Sequence, residues 1–270
     1  MTQDHGSGMV YLVGAGPGEP DLLTLRGASC LSRADLVLHD YLVNPLVLRH
    51  AGAAAEIVCL GRPHGGRAMP QAEIDQRMIE AARAGRTVVR LKCGDPAVFG
   101  RGAEETEALA AAGIAFEVIP GVTAASAVFS HAGIPLTHRE AASAVALVTG
   151  HQANGMCGPP LDYAQLGNFP GTLVFYMGIS SARQWSQALV RGGRSPDTPV
   201  AVVRRVSWPD QQVYHATLGT VADLIEREQI RPPTLIVVGE TVELGSGESA
   251  PRREEAHEAD GMPRGEGASG

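Results

Sequence analysis

Residues 88–105, VVRLKCGDPAVFGRGAEE, bring a thiol, carboxylates and a guanidinium close together in the chain. Val88 and Val89 enter the stretch as a β-branched pair, and Gly94, Asp95 and Pro96 break the run. Gly100 and Gly102 flank Arg101, and Glu104 and Glu105 open an Ala-rich helical pattern. This predicts strand, tight loop and helix, with the polar groups at the strand's C-terminal end, where ligands bind in open α/β sheets. Asp95 can accept a hydrogen bond from a ribose hydroxyl or an amino group. Asp before Pro also builds Asx turns and helix caps. Arg101 and Glu104 lie three apart, and Glu105 follows at i+4. They read either as exposed ion pairing contributing about 0.3–0.5 kcal/mol, or as a guanidinium aimed into a cleft and held there by Glu104. Glycine on both sides of Arg101 favours the second reading.

Other loops carry comparable chemistry. Gly14–Gly18, GAGPG, follows a strand pattern and precedes a helix, so its glycines would let backbone approach a ligand closely. It departs from the dinucleotide fingerprint, and Pro17 removes one N–H donor. A tight turn is the plainer alternative. Asp40 closes a strand pattern and can take a proton or serve as a turn residue. Arg62, His64 and Arg67 sit in a Gly-rich loop, either solvated or set to receive carboxylates through forked donors. Thr123, in 121–126, offers a hydroxyl to a ligand or a cap to a helix. Met177 ends another strand in Tyr176-Met177-Gly178. His131 and His138 lack partners at metal spacing. No P-loop, nucleophile-elbow or zinc-protease motif is present.

These loops need a framework. Short apolar runs at 9–13, 36–38, 57–60, 87–91 and 115–119 alternate with helical patterns at 22–32, 71–84 and 103–112. That alternation predicts a mainly parallel sheet. Pro120-Gly121 reads as a hinge, followed by a helix over 122–132. Strands at 144–149, 172–177, 199–204, 213–217 and 234–238 predict a second sheet, with helices at 182–191 and 221–229. The expected organisation is an N-terminal α/β domain over 9–119, a C-terminal α/β domain over 121–244 and a disordered tail over 245–270. The tail lacks apolar periodicity and cannot bury enough surface to offset its ordering entropy.

With 270 residues, 44% hydrophobic and 19% charged, the chain can bury a sizeable core. A net charge of -7 argues against general nucleic-acid binding. Cys30, Cys59, Cys93 and Cys157 show no CxxC spacing, which points to a reduced, cytoplasmic protein without disulfides or zinc. No 18-residue apolar run is present to span a membrane.

Taken together, VGAGPGEPDLLTLRG, DLVLHDYLV, VVRLKCGDPAVFGRGAEE, FEVIPGVTAASA, AGIPLTHR, LVTGH, TLVFYMG and PPTLIVVGE resemble the tetrapyrrole (corrin/porphyrin) methyltransferases. The match runs in order over about residues 9–245. FGRGAEE and the Asp40 loop resemble the members that act on uroporphyrinogen III. The resemblance implies two α/β domains with the active site in the cleft between them, in a homodimer. It implies S-adenosyl-L-methionine (SAM) as methyl donor and S-adenosyl-L-homocysteine as product, without a metal. The implied reaction methylates C2 and C7 of uroporphyrinogen III to give precorrin-2, for siroheme or cobalamin. By position, Pro17, Cys93, Gly94, Asp95, Val98, Thr123, Ala124, Met177 and Val206 would hold SAM. Asp40 matches the proton acceptor, and Arg101 and Glu104 match residues tied to substrate and catalysis. Arg62, Arg67, Arg101 and Arg139 could offer local positive charge to the eight carboxylates of the substrate.

The chain departs from the family at three places. Cys93-Gly94-Asp95 stands where Gly-Gly-Asp is usual. Arg62 replaces a usual Lys, and Arg anchors carboxylates but is a poor acid. Val206-Ser207-Trp208-Pro209-Asp210-Gln211 resembles precorrin-4 methyltransferases. Alternatives from the same chemistry are methylation of a later corrin precursor, a diphthamide precursor or ribosomal RNA. A nicotinamide-dependent oxidoreductase and a non-catalytic SAM sensor are the alternatives from other classes.

Overall fold

The structure, a computed structural model, describes residues 8–61, 69–152 and 160–245. Arg62, His64, Arg67, Cys157 and positions 246–270 of the expected tail lie outside the described residues.

Five strands form the first sheet: β1 (Met9–Gly14), β2 (Leu36–His39), β3 (Glu56–Cys59), β4 (Val88–Lys92) and β5 (Ala115–Ile119). Their order is β3-β2-β4-β1-β5, and every pairing is parallel. All five C-terminal ends therefore meet one edge. Helices α1 (Leu25–Ser32), α2 (Gln71–Arg83) and α3 (Gly102–Ala111) connect them. Thr24 caps α1 by accepting from the Gly27 N–H at 3.0 Å. Helix α2 buries Ile74, Met78, Ala81 and Ala82, one stripe at helical spacing. Gly113 ends α3 with φ 71°, the left-handed conformation its sequence position predicts. The central strands carry apolar residues on both faces because clusters around Met78 and around Leu31 cover the two sides.

Helix α4 begins at Ala124 rather than residue 122 and runs to Ala132. The second sheet contains β6 (Val145–Thr149), β7 (Thr172–Tyr176), β8 (Pro199–Arg204), β9 (Gln212–Thr217) and β10 (Thr234–Val238), in the order β6-β7-β10-β8-β9. Only β6–β7 is parallel, and β10 runs against both β7 and β8. Strands β6, β7 and β8 thus end on a common edge. Helix α4 packs on this sheet, with Ala125, Ala127 and Val128 against Val174, Ala201 and Val237. On the other face lie α5 (Ala182–Arg191) and α6 (Val221–Arg227). Single 3-10 turns at Pro45–His50, Tyr163–Asn168 and Glu240–Val242 had no periodic signature.

Trp185 anchors the second core. It is fully buried, stacks on Phe175 at 4.4 Å between ring centroids, and donates its indole N–H to the Gly178 carbonyl at 2.9 Å. Replacing it with Ala deletes a large ring and leaves a carbonyl without its donor. Trp185→Ala should lose about 3–5 kcal/mol of stability, read from urea unfolding midpoints. A loss below about 1 kcal/mol would mean that the site collapses around the deletion.

Candidate active site

The frame of the site is backbone packed on backbone. The loops after β1, β4 and β5 converge where Gly14, Gly94 and Gly121 meet. A Cβ on Gly121 would stand 2.2 Å from the Gly94 carbonyl oxygen, and one on Gly14 would stand 2.6 Å from the Gly121 Cα. Gly94 donates to the Gly16 carbonyl at 2.8 Å, and Gly16 returns the bond at 3.3 Å. The sequence pattern offered the GAGPG glycines to a ligand. Instead Gly14 admits Gly121, Gly16 turns against Leu22, and Gly18 lies under Trp208. Asp95 completes the junction. One carboxylate oxygen accepts from Ala97 N–H at 2.7 Å, an Asx turn, and the other from Gly121 N–H at 2.9 Å. Each oxygen retains acceptor capacity for a ligand.

A buried charge network stands behind this edge. Arg90 and Lys92 alternate along β4 and share a face, and both are buried. Arg90 Nε donates to Glu105 Oε1 at 2.9 Å, and Arg90 Nη2 reaches Asp40 Oδ1 at 2.5 Å. Lys92 Nζ sits 2.8 Å from Glu105 Oε2. Gln71 donates to the Glu105 and Asp75 carboxylates at 3.2 and 2.8 Å. Glu105 has no solvent exposure, so its sequence reading as part of an exposed pair is corrected. Its i−4 neighbour Arg101 turns outward, and β4 supplies its partners instead. Burial works against the Arg90 cation, yet Asp40 and then Glu105 more than offset it and hold its pKa above the ordinary value. Burial, and next the Arg90 charge, push Lys92 below its ordinary value despite Glu105. Two cations and two carboxylates balance in this network, and breaking such a buried pair costs about 3–5 kcal/mol.

Nothing in the sequence reading singled out Arg90 or Lys92, or gave Glu105 a buried role. The signal was there: two basic residues spaced i, i+2 within a buried apolar strand require acidic partners on the same face.

Arg101 and Glu104 pair with each other through the Arg101 Nε at 3.0 and 3.1 Å and through Nη2 as well, with both side chains 55% exposed. The pairing depresses the Glu104 pKa and raises that of Arg101, the mutual hydrogen bond being the largest cause in each case. Arg101 itself has φ 58° at the start of α3. Six non-glycine residues adopt positive φ among the described residues: Phe99, Arg101, Met177, Arg205, Ser207 and Gln229. Five of them lie in loops at strand C-terminal ends. Such conformations cost about 1–3 kcal/mol each and cluster at ligand sites.

The two sheets meet across these loops. Trp208, after β8, donates its indole N–H to the Pro17 carbonyl at 3.0 Å, and Glu19 N–H donates to Ser207 Oγ at 3.0 Å. The Arg205 guanidinium stacks over the Trp208 ring at 4.1 Å. Phe99 faces Tyr176, with ring centroids 5.2 Å apart. The Tyr176 hydroxyl bonds Thr123 Oγ1 at 2.6 Å and accepts from Ala125 N–H at 3.0 Å. Thr123 occupies the N-cap position of α4, but its hydroxyl does not cap. Tyr176 satisfies that helix end across the fold. Burial, first, raises the Tyr176 pKa.

Several expected site residues are therefore neighbours. Pro17, Cys93, Gly94, Asp95, Val98, Asp40, Thr123 and Ala124 follow strands of the first sheet. Met177, 48% exposed, and Val206 follow β7 and β8 of the second. The Val206 side chain is buried in the core, leaving its backbone for any contact. Arg139 stands exposed in the turn closed by His138 and Ala142, with no hydrogen bond to the strand-end cluster. Among the described residues no group of three or more His, Cys, Asp or Glu could hold a metal, and no helix is long and apolar enough to cross a membrane.

A parallel sheet whose strand-end loops face a second sheet, with strained backbone along the rim, defines a two-layered α/β enzyme with a small-molecule site between its halves. A model of the Tetrapyrrole (Corrin/Porphyrin) Methylases matches residues 9–222. The S-adenosyl-L-methionine-dependent uroporphyrinogen III methyltransferase of Methanosarcina barkeri is 44% identical over 237 residues, covering 88% of this chain and 93% of that protein. A siroheme synthase of Stutzerimonas stutzeri is 47% identical over 237 residues, covering 88% of this chain and 50% of that protein. The chain spans about half the length of the curated siroheme synthases it matches. A uroporphyrin-III C-methyltransferase of Thermus thermophilus, solved with S-adenosylhomocysteine, superposes with a TM-score of 0.75. That match has 42% identity and covers 88% of this chain and all of the other. This chain belongs to the tetrapyrrole (corrin/porphyrin) methylase family.

Cys93 tests the environment of the strand-end loop. Burial, with the Asp40 charge as the smaller cause, pushes its thiol up to about 12. A raised folded-state value means a neutral thiol, with its stabilising contribution complete below about pH 9 and lost as pH rises toward 12. In a variant with Ser at positions 30, 59 and 157, iodoacetamide should alkylate Cys93 at pH 9 at least about tenfold more slowly than the unfolded chain. Equal rates would show a solvated thiol.

Proposed function

We propose that this chain methylates uroporphyrinogen III at C2 and C7, using SAM, to give precorrin-2 for siroheme or cobalamin synthesis. The observation that carries this is the single strand-end edge joining Asp40, Gly94, Arg101 and Thr123 in a chain that is 44% identical to a methyltransferase it covers almost completely. SAM would supply a methyl group already activated on a sulfonium.

The residues fit that group. A Cβ at Gly94 would meet only the Thr123 Cα, at 3.9 Å, so the backbone there borders open space. Val98, Ala124 and the half-exposed Met177 supply apolar surface around it. The Gly94 and Thr123 backbone and the Asp95 carboxylate supply polar contacts, with Pro17, Cys93 and Val206 completing the pocket. Pocket walls of this kind hold the reacting carbon and the methyl donor in line and exclude water.

The macrocycle would lie on the other side of the same loop. Arg101, held by Glu104, offers forked donors to its carboxylates, joined by Arg139 and by Arg62 and Arg67. Asp40, with one oxygen on Arg90, would take up the proton that the macrocycle gives up from another position once the quaternary methylated carbon has formed. The chain would work as a homodimer in the cytoplasm, with its first domain over 9–119 and its second over 121–244. Val206-Ser207-Trp208 favours the second reading, methylation of a later corrin precursor such as precorrin-4.

Incubating the purified protein with uroporphyrinogen III and SAM should yield a product heavier by two methyl groups in mass spectrometry. Asp40→Asn should slow that turnover by about 100-fold or more while leaving S-adenosylhomocysteine affinity within about twofold. No methylated product from uroporphyrinogen III, with turnover of a later precursor, would transfer the assignment to the second reading.

A further inference from the structure

The Asp40 carboxylate is the group through which the proposed reaction takes up its proton, and it stands at the exposed end of the buried network. Its side chain is 32% exposed, and that of its partner Arg90 only 3%. Arg90 is fixed from several sides. Nε donates to Glu105 Oε1 at 2.9 Å, Nη1 donates to the Leu91 carbonyl at 3.2 Å, and Nη2 meets Asp40 Oδ1 at 2.5 Å. The guanidinium is a rigid planar fork, so fixing two nitrogens fixes the third. Asp40 Oδ2 accepts no hydrogen bond among the described residues. One oxygen of the carboxylate is thus tied to Arg90, and the other is left without a hydrogen bond in a side chain 32% exposed.

Glu105 sets the fork. Its side chain has no exposure, and its two oxygens engage the two β4 cations separately, Oε1 with Arg90 and Oε2 with Lys92. Gln71, on α2, also donates to Oε1 at 3.2 Å. The Glu105 carboxylate therefore cannot rotate without losing partners on both α2 and β4. Lys92 sits directly under the Arg101 loop: a Cβ on Gly100 would stand 3.3 Å from its Cε. The network ties the end of β2 to the start of α3, the two places that carry Asp40 and the Arg101–Glu104 pair.

We propose that Arg90, held by Glu105, is a positioning residue for the proposed methyl transfer, orienting Asp40 so that its free oxygen faces the substrate. This rests on the reading of Asp40 as proton acceptor. No covalent step involves Arg90 or Glu105. They act by fixing where the Asp40 carboxylate points.

Arg90→Lys keeps the charge and loses the fork. It should lower kcat by about tenfold or more, with KM for SAM unchanged within about twofold. Added to Asp40→Asn, it should lower kcat no further, because two residues that act as one unit are not additive. Arg90→Gln combined with Glu105→Gln removes one charge of each sign, so it protects against a folding failure, and it should show the same loss of kcat. Full turnover in either variant, or an effect that multiplies with that of Asp40→Asn, overturns the proposal. Crystal structures of both variants supply a readout independent of substrate. The Asp40 carboxylate should leave its native position by about 1 Å or more, and an unmoved carboxylate overturns the proposal. A wild-type protein that fails to methylate uroporphyrinogen III, with Asp40 displaced in the variants, would refute the assigned reaction and leave the positioning role standing.

Discussion

The close approach of three loop backbones at Gly14, Gly94 and Gly121 is the constraint on which the rest of this structure depends. No side chain fits between them, since a Cβ at Gly121 would lie 2.2 Å from the Gly94 oxygen. Because the approach is so close, the loops after β1, β4 and β5 share one origin and fan outward from it. The β1 loop reaches toward Ser207 and Trp208, the β4 loop carries Arg101 outward, and the β5 loop leads into α4. Asp95 links two of the three through its paired N–H bonds from Ala97 and Gly121. Its turn-forming role and its position at the ligand edge are therefore one property. A carboxylate that fixes the junction also fixes the backbone that borders the cleft.

Charge is handled in two different ways on either side of the β4 loop. Beneath it, Arg90, Lys92 and Glu105 are withdrawn from water, where an unpaired group would be costly, and the part-exposed Asp40 completes their charge balance. Above it, Arg101 and Glu104 are half exposed, so solvent screens their pairing and it contributes little to stability. The lower network is built for fixed geometry. The upper pair is free to exchange Glu104 for another anion at small cost. Under the proposed function, this separation would let a chain with net charge -7 present a cation to an acidic ligand. What matters there is the local arrangement of charge and not the total.

Much of the fold was legible because its signals are local. Apolar runs marked all ten strands to within one residue at both ends, and Gly113 marked the end of α3. The resemblance located the loops that carry Asp40, Asp95, Arg101, Thr123 and Met177. What escaped depends on partners far apart in sequence. Glu105 reads as surface when only Arg101 is considered, because its true partners lie on β4, 13 and 15 positions away. Tyr176 reads as core until Thr123 and Ala125 are placed against its hydroxyl, 53 and 51 positions distant. The antiparallel direction of β10 is likewise a property of packing and has no periodic signature.

Trp208 shows why a local departure from a family pattern has to be read through its contacts. Ser207 and Trp208 stand where the family usually has other residues, yet both are committed to the first sheet's loop through Glu19 and Pro17. Gln211 accepts from Ser207 N–H at 2.9 Å and donates to the His131 carbonyl at 2.7 Å, which ties the same segment to α4. Arg205 and Ser207 hold positive φ to make these contacts, a strain that packing over Gly18 offsets. A Cβ on Gly18 would strike the Trp208 ring at 2.3 Å, so the small residue and the large one are a matched pair. The segment is a strap between the two halves, and its residues are set by the surface they close against. A change of substrate would then require changes at the cleft face of the strap, while the face that meets Pro17 and Gly18 stays fixed.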